Sequence, residues 1–246
     1  MVTERPLPAF LTVAPPSPSD EEQTEAHYHG HRARLRARFL AGPPEALADY
    51  ELVEVLLFGA LPRRDVKPLA KALLARFGGF SALLAATPRQ LRAEGLGESV
   101  ICALKAARAA GLRLARAEVS HSPVLSTGRV LLDYCLARLQ HEPREIFHIL
   151  FLDRKNRLIA DEIQSEGTLD QASVYPREVI RRALELSAAA LILVHNHPSG
   201  DPTPSAADIQ ITRELADIAK RLGIVIHDHL VVGRGRHASF KAAGLL

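Results

Sequence analysis

The pattern of apolar and polar positions divides the chain into a helical part and a mixed part. From about Gly30 to Ala117, apolar residues recur every three or four positions, which predicts a series of amphipathic helices. Turn-forming pairs separate these helices, namely Gly42–Pro43, Gly78–Gly79 and Thr87–Pro88. We therefore predict an all-α domain over residues 27–118.

After Ser122–Pro123 the pattern changes, because short apolar runs begin to alternate with helical segments. The runs at 145–153, 156–167, 190–197 and 224–233 predict strands, and the segments at 128–140, 176–189 and 204–223 predict helices. This alternation predicts a mixed α/β domain over residues 124–246. Residues 1–26 contain five prolines and little periodicity, so we predict a disordered tail there.

Composition limits the class of protein. The chain has 246 residues, of which 47% are hydrophobic and 24% charged, as expected of a globular protein with a real core. Cys102 and Cys135 lie in helical patterns without a CxxC neighbour, which predicts two reduced core residues and indicates the cytosol. No apolar run reaches the roughly 18 residues of a membrane span, and the N-terminus lacks a signal-peptide pattern. We therefore expect a soluble, cytoplasmic protein.

The formal charge is distributed unevenly. Residues 1–26 carry one basic and five acidic residues (−4), residues 27–118 carry fifteen and eight (+7), and residues 119–246 carry fifteen of each (0). A basic domain is typical of nucleic-acid binding, because Lys and Arg neutralise phosphates and provide most non-specific affinity. Alternatively, the arginines only solubilise alanine-rich helices.

Two features of the helical part fit weak, non-specific DNA binding. Arg32 and Arg36 lie on the first predicted helix, and Gly95-Leu96-Gly97 looks like the hairpin of a helix-hairpin-helix motif. Glycines at Gly95 and Gly97 would let main-chain N–H groups approach a phosphate. A tight turn between two helices is the alternative interpretation, and Glu98 stands where DNA-binding hairpins often have a basic residue.

The sequence VHNHPSGDPTPSAAD contains the strongest chemical signal. His195 and His197 end an apolar strand, where period-two alternation places both imidazoles on one side of the sheet. Asp208 lies in the first turn of the following helix and can face the end of that strand. Two imidazoles and one carboxylate leave a fourth tetrahedral position for water, which is typical of a catalytic zinc site. We therefore predict one zinc per chain.

The same residues have structural alternatives. Asp208 completes a Ser-x-x-Asp capping box, which stabilises a helix start without any metal. A second pair, His227 and His229, has no following carboxylate at matching spacing. We predict that both of its rings lie on one face, in the core or behind the metal ligands.

The spacing His195-x-His197-x7-Ser205-x2-Asp208 resembles the signature of the JAMM (MPN+) metalloproteases. It departs from it only at Asn196, where many deubiquitinating members have Ser or Thr. Together with LFLD, GTL, VYPRE and DH, the segment HNHPSGDP resembles the bacterial RadC (UPF0758-type) branch, and GHRARLRARF and PLAKALLARFG extend the resemblance upstream. It covers residues 27–246. It implies a cytidine-deaminase-like MPN sheet with flanking helices, preceded by a small helix-hairpin-helix-like domain.

The resemblance also implies further catalytic residues. A glutamate before an early strand acts as general base and then acid in that family, and Glu145 matches it best. Glu162 and Glu166 remain alternatives for this role, and a solvated residue at a strand start is the structural alternative for Glu145. Ser205 matches a residue that helps stabilise the oxyanion, although its position equally suits a helix N-cap.

Three functional hypotheses follow. The first is a zinc-dependent hydrolase of peptide or isopeptide bonds, with a protein or peptide substrate, attached to a helical module that contacts DNA. The second is a binding protein associated with DNA processing, in which the zinc domain is structural or of low activity. The third, phosphodiester hydrolysis, is weaker because such sites usually need two metals and more carboxylates.

Overall fold

A computed structural model describes residues 18–121, 123–124, 128–167 and 174–246. Most of the predicted disordered tail, residues 1–17, lies outside these ranges. Helix α1, however, spans Pro18–Ala41, so the prediction of disorder is wrong for residues 18–26. A proline at the helix start and the acidic residues that follow it suit a helix N-terminus. Residues 18–25 contain no apolar residue, so hydrophobic periodicity gave no signal there.

The first part of the chain is built from short helices around one apolar core. The core residues come from each α-helix of this part, for example Leu35, Leu57, Leu73, Leu91 and Leu104. After α1 come a 3-10 helix at Pro44–Ala46 and five helices: α2 at Asp49–Ala60, α3 at Lys67–Phe77, α4 at Phe80–Ala85, α5 at Pro88–Ala93 and α6 at Glu98–His121. The turn after α3 depends on Gly78, whose φ of 84° is left-handed.

The contacts divide the chain between Ala110 and Gly111, inside α6. This is earlier than the change of pattern near 119–123 that the sequence suggests. Leu104 belongs to the first core, whereas Val119 belongs to the core of the second unit. Helical periodicity continues without interruption across this point, so the sequence has no break to mark it. Cys102, expected in the core, is exposed, while Cys135 is buried as expected.

The second unit is a mixed five-stranded sheet with helices on both faces. The strands lie in the order β2-β1-β3-β4-β5; β3 and β4 are parallel, and the other neighbours are antiparallel. Its elements are α7 at Gly128–Leu139, β1 at Ile146–Leu152, β2 at Leu158–Glu166, α8 at Pro176–Glu185, β3 at Ala190–Asn196, α9 at Ala206–Arg221, β4 at Val225–Val232 and β5 at His237–Ser239.

The alternating side chains of the sheet serve two separate cores. Leu150 and Ile192 face a core shared with α7 and the end of α6. Phe147 and Leu193 face a core shared with α8 and α9. Strand β3 is buried over its whole length, as expected of a central strand covered on both faces.

An irregularity in β4 separates the second pair of histidines. The pairing of β3 with β4 skips His227, so β4 carries one extra residue and the alternation of its side chains shifts. His229 therefore contacts His195 on one face, whereas His227 turns to the other face, with its Nε2 2.6 Å from Oδ1 of Asn156. The prediction that both rings share one face is wrong, because period-two reasoning assumes a regular strand.

Within the described residues, no helix is long and apolar enough to cross a membrane.

Candidate metal centre

The structure brings His195, His197 and Asp208 together at the C-terminal end of β3. Their ligand atoms all lie within 4.8 Å of one another. The two histidine Nε2 atoms are 3.0 Å apart. Oδ1 of Asp208 lies 3.3 Å from Nε2 of His195, and Oδ2 lies 3.5 Å from Nε2 of His197. The predicted cluster is therefore formed, with His195 fully buried at its base.

Helix capping and the cluster use the same Asp208 side chain. Oδ2 of Asp208 accepts a hydrogen bond of 2.7 Å from the Ser205 main-chain N–H, and the Asp208 N–H donates to Oγ of Ser205 at 3.1 Å. This capping box fixes the carboxylate at the start of α9 while its oxygens still face the histidines. The two interpretations of Asp208 are thus compatible, and Ser205 is the N-cap.

The hydrogen bonds of His197 show which of its nitrogens faces the cluster. Nδ1 lies 2.8 Å from the main-chain carbonyl oxygen of Asp201. Because a carbonyl carries no hydrogen, Nδ1 must donate, and a neutral ring then directs its Nε2 lone pair towards the centre of the cluster. Outer partners of this kind commonly orient metal-binding histidines.

Electrostatics couple the three groups. The hydrogen bond to Asp208 raises the pKa of His197 above its usual value. Burial alone would raise the pKa of Asp208, but the imidazoles of His195 and His197 beside its carboxylate outweigh burial and hold that pKa well below the usual range. A compact group of two imidazoles and a carboxylate therefore favours positive charge at its centre. Nitrogen and oxygen donors at this separation fit a divalent metal ion.

Glu145 directly precedes β1 and lies beside the cluster. Phe147 pairs with His195, so continuing the antiparallel register sets Glu145 opposite His197. The side chain is only 8% exposed. After the Asp208 hydrogen bond, the charge of Glu145 is a further cause of the raised pKa of His197. The structure thus places a buried carboxylate near His197, and Glu145 is not a solvated strand-end residue.

Of the alternative glutamates, Glu162 is unsuitable as a base. Its carboxylate is held by the guanidinium of Arg182 at 2.6 and 2.9 Å, which lowers its pKa. Glu162 pairs with Ile149, in the middle of β1 and away from the histidines. The main chain of Glu166 pairs with Ile146 at the start of β1.

Asn196 has a structural role that the sequence did not suggest. Its side chain points away from the two histidines, and its Oδ1 accepts a 2.9 Å hydrogen bond from the Ile146 N–H. Its Nδ2 donates to the carbonyl of Arg144 at 3.0 Å. Asn196 therefore ties both sides of Glu145 to the strand that carries the histidines. A serine or threonine hydroxyl also donates and accepts, but through one atom, whereas the amide of Asn196 does so through two separate atoms.

Thr212 was not predicted as part of the site, whereas a position behind the metal ligands was one of the two expectations for the second histidine pair, and His229 takes it. Nε2 of His229 lies 2.8 Å from Nδ1 of His195, and Oγ1 of Thr212 lies 2.6 Å from Nδ1 of His229. Burial lowers the pKa of His229 well below its ordinary value. The available signal was that Thr212 stands four residues after Asp208, on the same face of α9.

The DNA contact predicted for Arg32 is wrong. Arg32 is 7% exposed, and its guanidinium donates to carbonyl oxygens at the end of α2 and in the turn after it, at 2.5–3.3 Å: those of Phe58, Leu61, Pro62 and Arg64. A guanidinium saturated by main-chain carbonyls cannot also bind phosphate. Arg36 is exposed, and its guanidinium lies 5.4 Å from the centre of the Phe58 ring.

The glycines at 95 and 97 form the turn between α5 and α6. Gly95 has a left-handed φ of 77°, and its N–H donates to the Arg92 carbonyl at 2.9 Å. A Cβ atom at Gly97 would meet no described atom within 4 Å, so no close approach requires glycine there. Glu98 pairs with Arg92 at 2.7 Å. These contacts account for the turn without a ligand, and phosphate binding there stays a prediction.

The chain is similar to known proteins. Residues 125–245 match the family model described as the RadC-like JAB domain. The chain is also similar to a "UPF0758 protein" of Rhodobacter capsulatus, with 60% identity over 213 residues, which is 86% of this chain and 100% of that protein.

Proposed function

The chain belongs to the RadC (UPF0758) family of proteins with a RadC-like JAB domain, and on that premise we propose that it is a zinc-dependent hydrolase of peptide or isopeptide bonds. The observation that supports this proposal is the convergence of His195, His197 and Asp208 beside the buried carboxylate of Glu145. A purely structural zinc site usually has four protein ligands, whereas this group offers three.

The three ligands would hold one zinc ion, which supplies Lewis acidity and lowers the pKa of water. Glu145 accepts a proton from the attacking water as the bond between the water oxygen and the amide carbon forms. The same residue then returns this proton to the amide nitrogen, so the C–N bond breaks and a neutral amine leaves. General acid–base transfer of this kind contributes about 10²–10⁴-fold to the rate.

Ser205 is available to stabilise the developing negative charge on the substrate oxygen. Its Oγ accepts from the Asp208 N–H, so its own hydroxyl hydrogen remains for another acceptor. Ser205 is exposed at the start of α9, next to the ligand Asp208. The N-cap and oxyanion roles are therefore compatible, just as capping and ligation are for Asp208.

The test is a cleavage screen on a proteome-derived peptide library and on isopeptide-linked peptides, with zinc-loaded protein. We expect cleavage by the wild type, loss of about 10²–10⁴-fold in rate in Glu145→Gln, and retention in Glu162→Gln. The Gln side chain preserves the shape of Glu145 but cannot accept the proton. Both variants should retain zinc, which elemental analysis checks.

Two results would contradict parts of the proposal. Full activity of Glu145→Gln together with an inactive Glu162→Gln would show that the base is assigned wrongly. Absence of zinc-dependent cleavage from every substrate class would instead favour a binding protein with a structural metal.

A further inference from the structure

We propose that Thr212 and His229 are positioning residues that set the tautomer of His195, so that His195 presents an unprotonated Nε2 to the metal. This inference rests on the proposed metal site but concerns residues that do not themselves bind the metal. It follows from counting the hydrogens available along a chain of short contacts that begins and ends at Asp208.

The first contact fixes the hydroxyl of Thr212. Oγ1 of Thr212 lies 2.5 Å from the main-chain carbonyl oxygen of Asp208, one helical turn earlier. The carbonyl has no hydrogen to give, so the hydroxyl must donate. Its single hydrogen is then used.

The second contact fixes His229. Its Nδ1 lies 2.6 Å from Oγ1 of Thr212, a distance that requires a hydrogen between the two atoms. Since the hydroxyl has already donated, the hydrogen belongs to Nδ1 of His229. A neutral imidazole has one N–H group, so Nε2 of His229 carries a lone pair.

The third contact carries this assignment to the ligand. Nε2 of His229 lies 2.8 Å from Nδ1 of His195, and the hydrogen between them must come from His195. Neutral His195 therefore has its lone pair on Nε2, the atom that lies 3.3 Å from Oδ1 of Asp208 and 3.0 Å from Nε2 of His197, where a metal ion would take the place of a hydrogen. The opposite direction of donation would place a hydrogen on Nε2 of His195 and block ligation.

Burial shields this chain of hydrogen bonds, the Thr212–His229–His195 relay, from other partners. Thr212, His229 and His195 have no exposed surface, so solvent does not compete for their hydrogen bonds. The ring of His229 is stacked on Phe240, with the ring centres 4.6 Å apart, and forms a T-shaped contact with Phe147, with the ring centres 5.4 Å apart. Phe147 is also stacked on His195, at 6.0 Å. These apolar walls hold both rings in the orientation that the relay needs.

The first measurement is zinc affinity, by competition with a chromophoric chelator, for the wild type and three variants of the full chain. Thr212→Val keeps the shape but removes the hydroxyl, and we expect about 10–100-fold weaker zinc binding, the usual cost of losing an outer partner. Thr212→Ser restores the hydroxyl and should bind zinc nearly as the wild type does. His227→Gln is the matched control, since it changes a histidine of the same strand on the other face, and it should have no effect.

The second measurement is ¹⁵N NMR of the histidine rings in metal-free wild type, recorded as the pH is raised until the spectra show neutral rings. We expect His195 and His229 as Nδ1–H tautomers. Nε2–H tautomers at these residues would overturn the proposal, and so would wild-type zinc affinity in a folded Thr212→Val. If the wild type binds no zinc, the proposed function fails, but the tautomers still decide whether the relay exists. They also decide it if Thr212→Val does not fold.

Discussion

Arg32 illustrates how a charged side chain that looks available for a partner can serve the fold instead. Its guanidinium holds the carbonyls that follow α2, and it also lies 4.7 Å from the centre of the Phe58 ring. The alternation of arginines along α1 does not distinguish Arg32 from Arg34 or Arg36, because only tertiary packing decides which of them is buried.

Replacing Arg32 by Leu should destabilise the first unit. The change leaves several carbonyl acceptors without their donor, which we expect to cost on the order of 3 kcal/mol in the free energy of unfolding. Chemical denaturation, with hydrogen exchange of the α2 amides, measures the loss. Arg34→Leu is the control, since Arg34 is exposed and should change stability by less than about 0.5 kcal/mol. Equal stability of the two variants would remove the structural role assigned to Arg32.

The site residues differ in how far the sequence predicted them. His195, His197 and Asp208 follow from strand alternation and a helix start, which are local properties. The position of Glu145 depended on a resemblance, and the register of β1 against β3 then placed it beside His197. The contact of His229 with His195 depends on a β-bulge and on the packing of α9, and no local pattern encodes either.

At the level of elements, length and regularity determined what the sequence predicted. Long periodic segments, such as α9 and β3, occur where they were expected. Helix α4 and strand β5 have six and three residues, which is too short for either periodicity to appear. The first two turns of α1 were missed because they have no apolar face.

The loop between β3 and α9 is held by the turn after β4, and Gly233 makes this possible. A Cβ atom at Gly233 would lie 2.4 Å from the carbonyl oxygen of Gly200, so any side chain must push the two turns apart. The same loop carries the Asp201 carbonyl that orients His197.

We therefore expect Gly233→Ala to weaken zinc binding by about 10–100-fold while the sheet remains folded. Chelator competition measures the affinity, and circular dichroism checks the fold. Gly111→Ala is the control, because a Cβ atom there would meet nothing within 4 Å in the part of the chain that the structure describes. Wild-type zinc affinity in Gly233→Ala would show that the loop is not held in this way.

At the level of the whole molecule, the charge is concentrated in one part of the chain. The +7 of residues 27–118 contrasts with the neutral balance of residues 119–246. With Arg32 buried, DNA binding would depend on exposed side chains such as Arg34 and Arg36. DNA binding by the full chain stays a prediction.

The full chain should bind DNA without sequence preference, with a dissociation constant of about 10⁻⁴–10⁻⁶ M at physiological salt. Counterion release makes the affinity fall steeply as salt rises. At any one salt concentration, the double change Arg34→Glu and Arg36→Glu should bind DNA more weakly than the wild type. Fluorescence anisotropy at several salt concentrations measures both effects. Binding that does not depend on salt, or no binding at all, would make this charge a solvated surface.

The most direct test of the central claim is the metal content of the purified full chain. Elemental analysis should find about one zinc per chain in the wild type and in His227→Ala, whose ring lies on the other face of the sheet. The double variant His195→Ala, His197→Ala should lose the metal, because a single carboxylate cannot retain it. Full zinc retention in the double variant would contradict the metal site, and with it the proposed function.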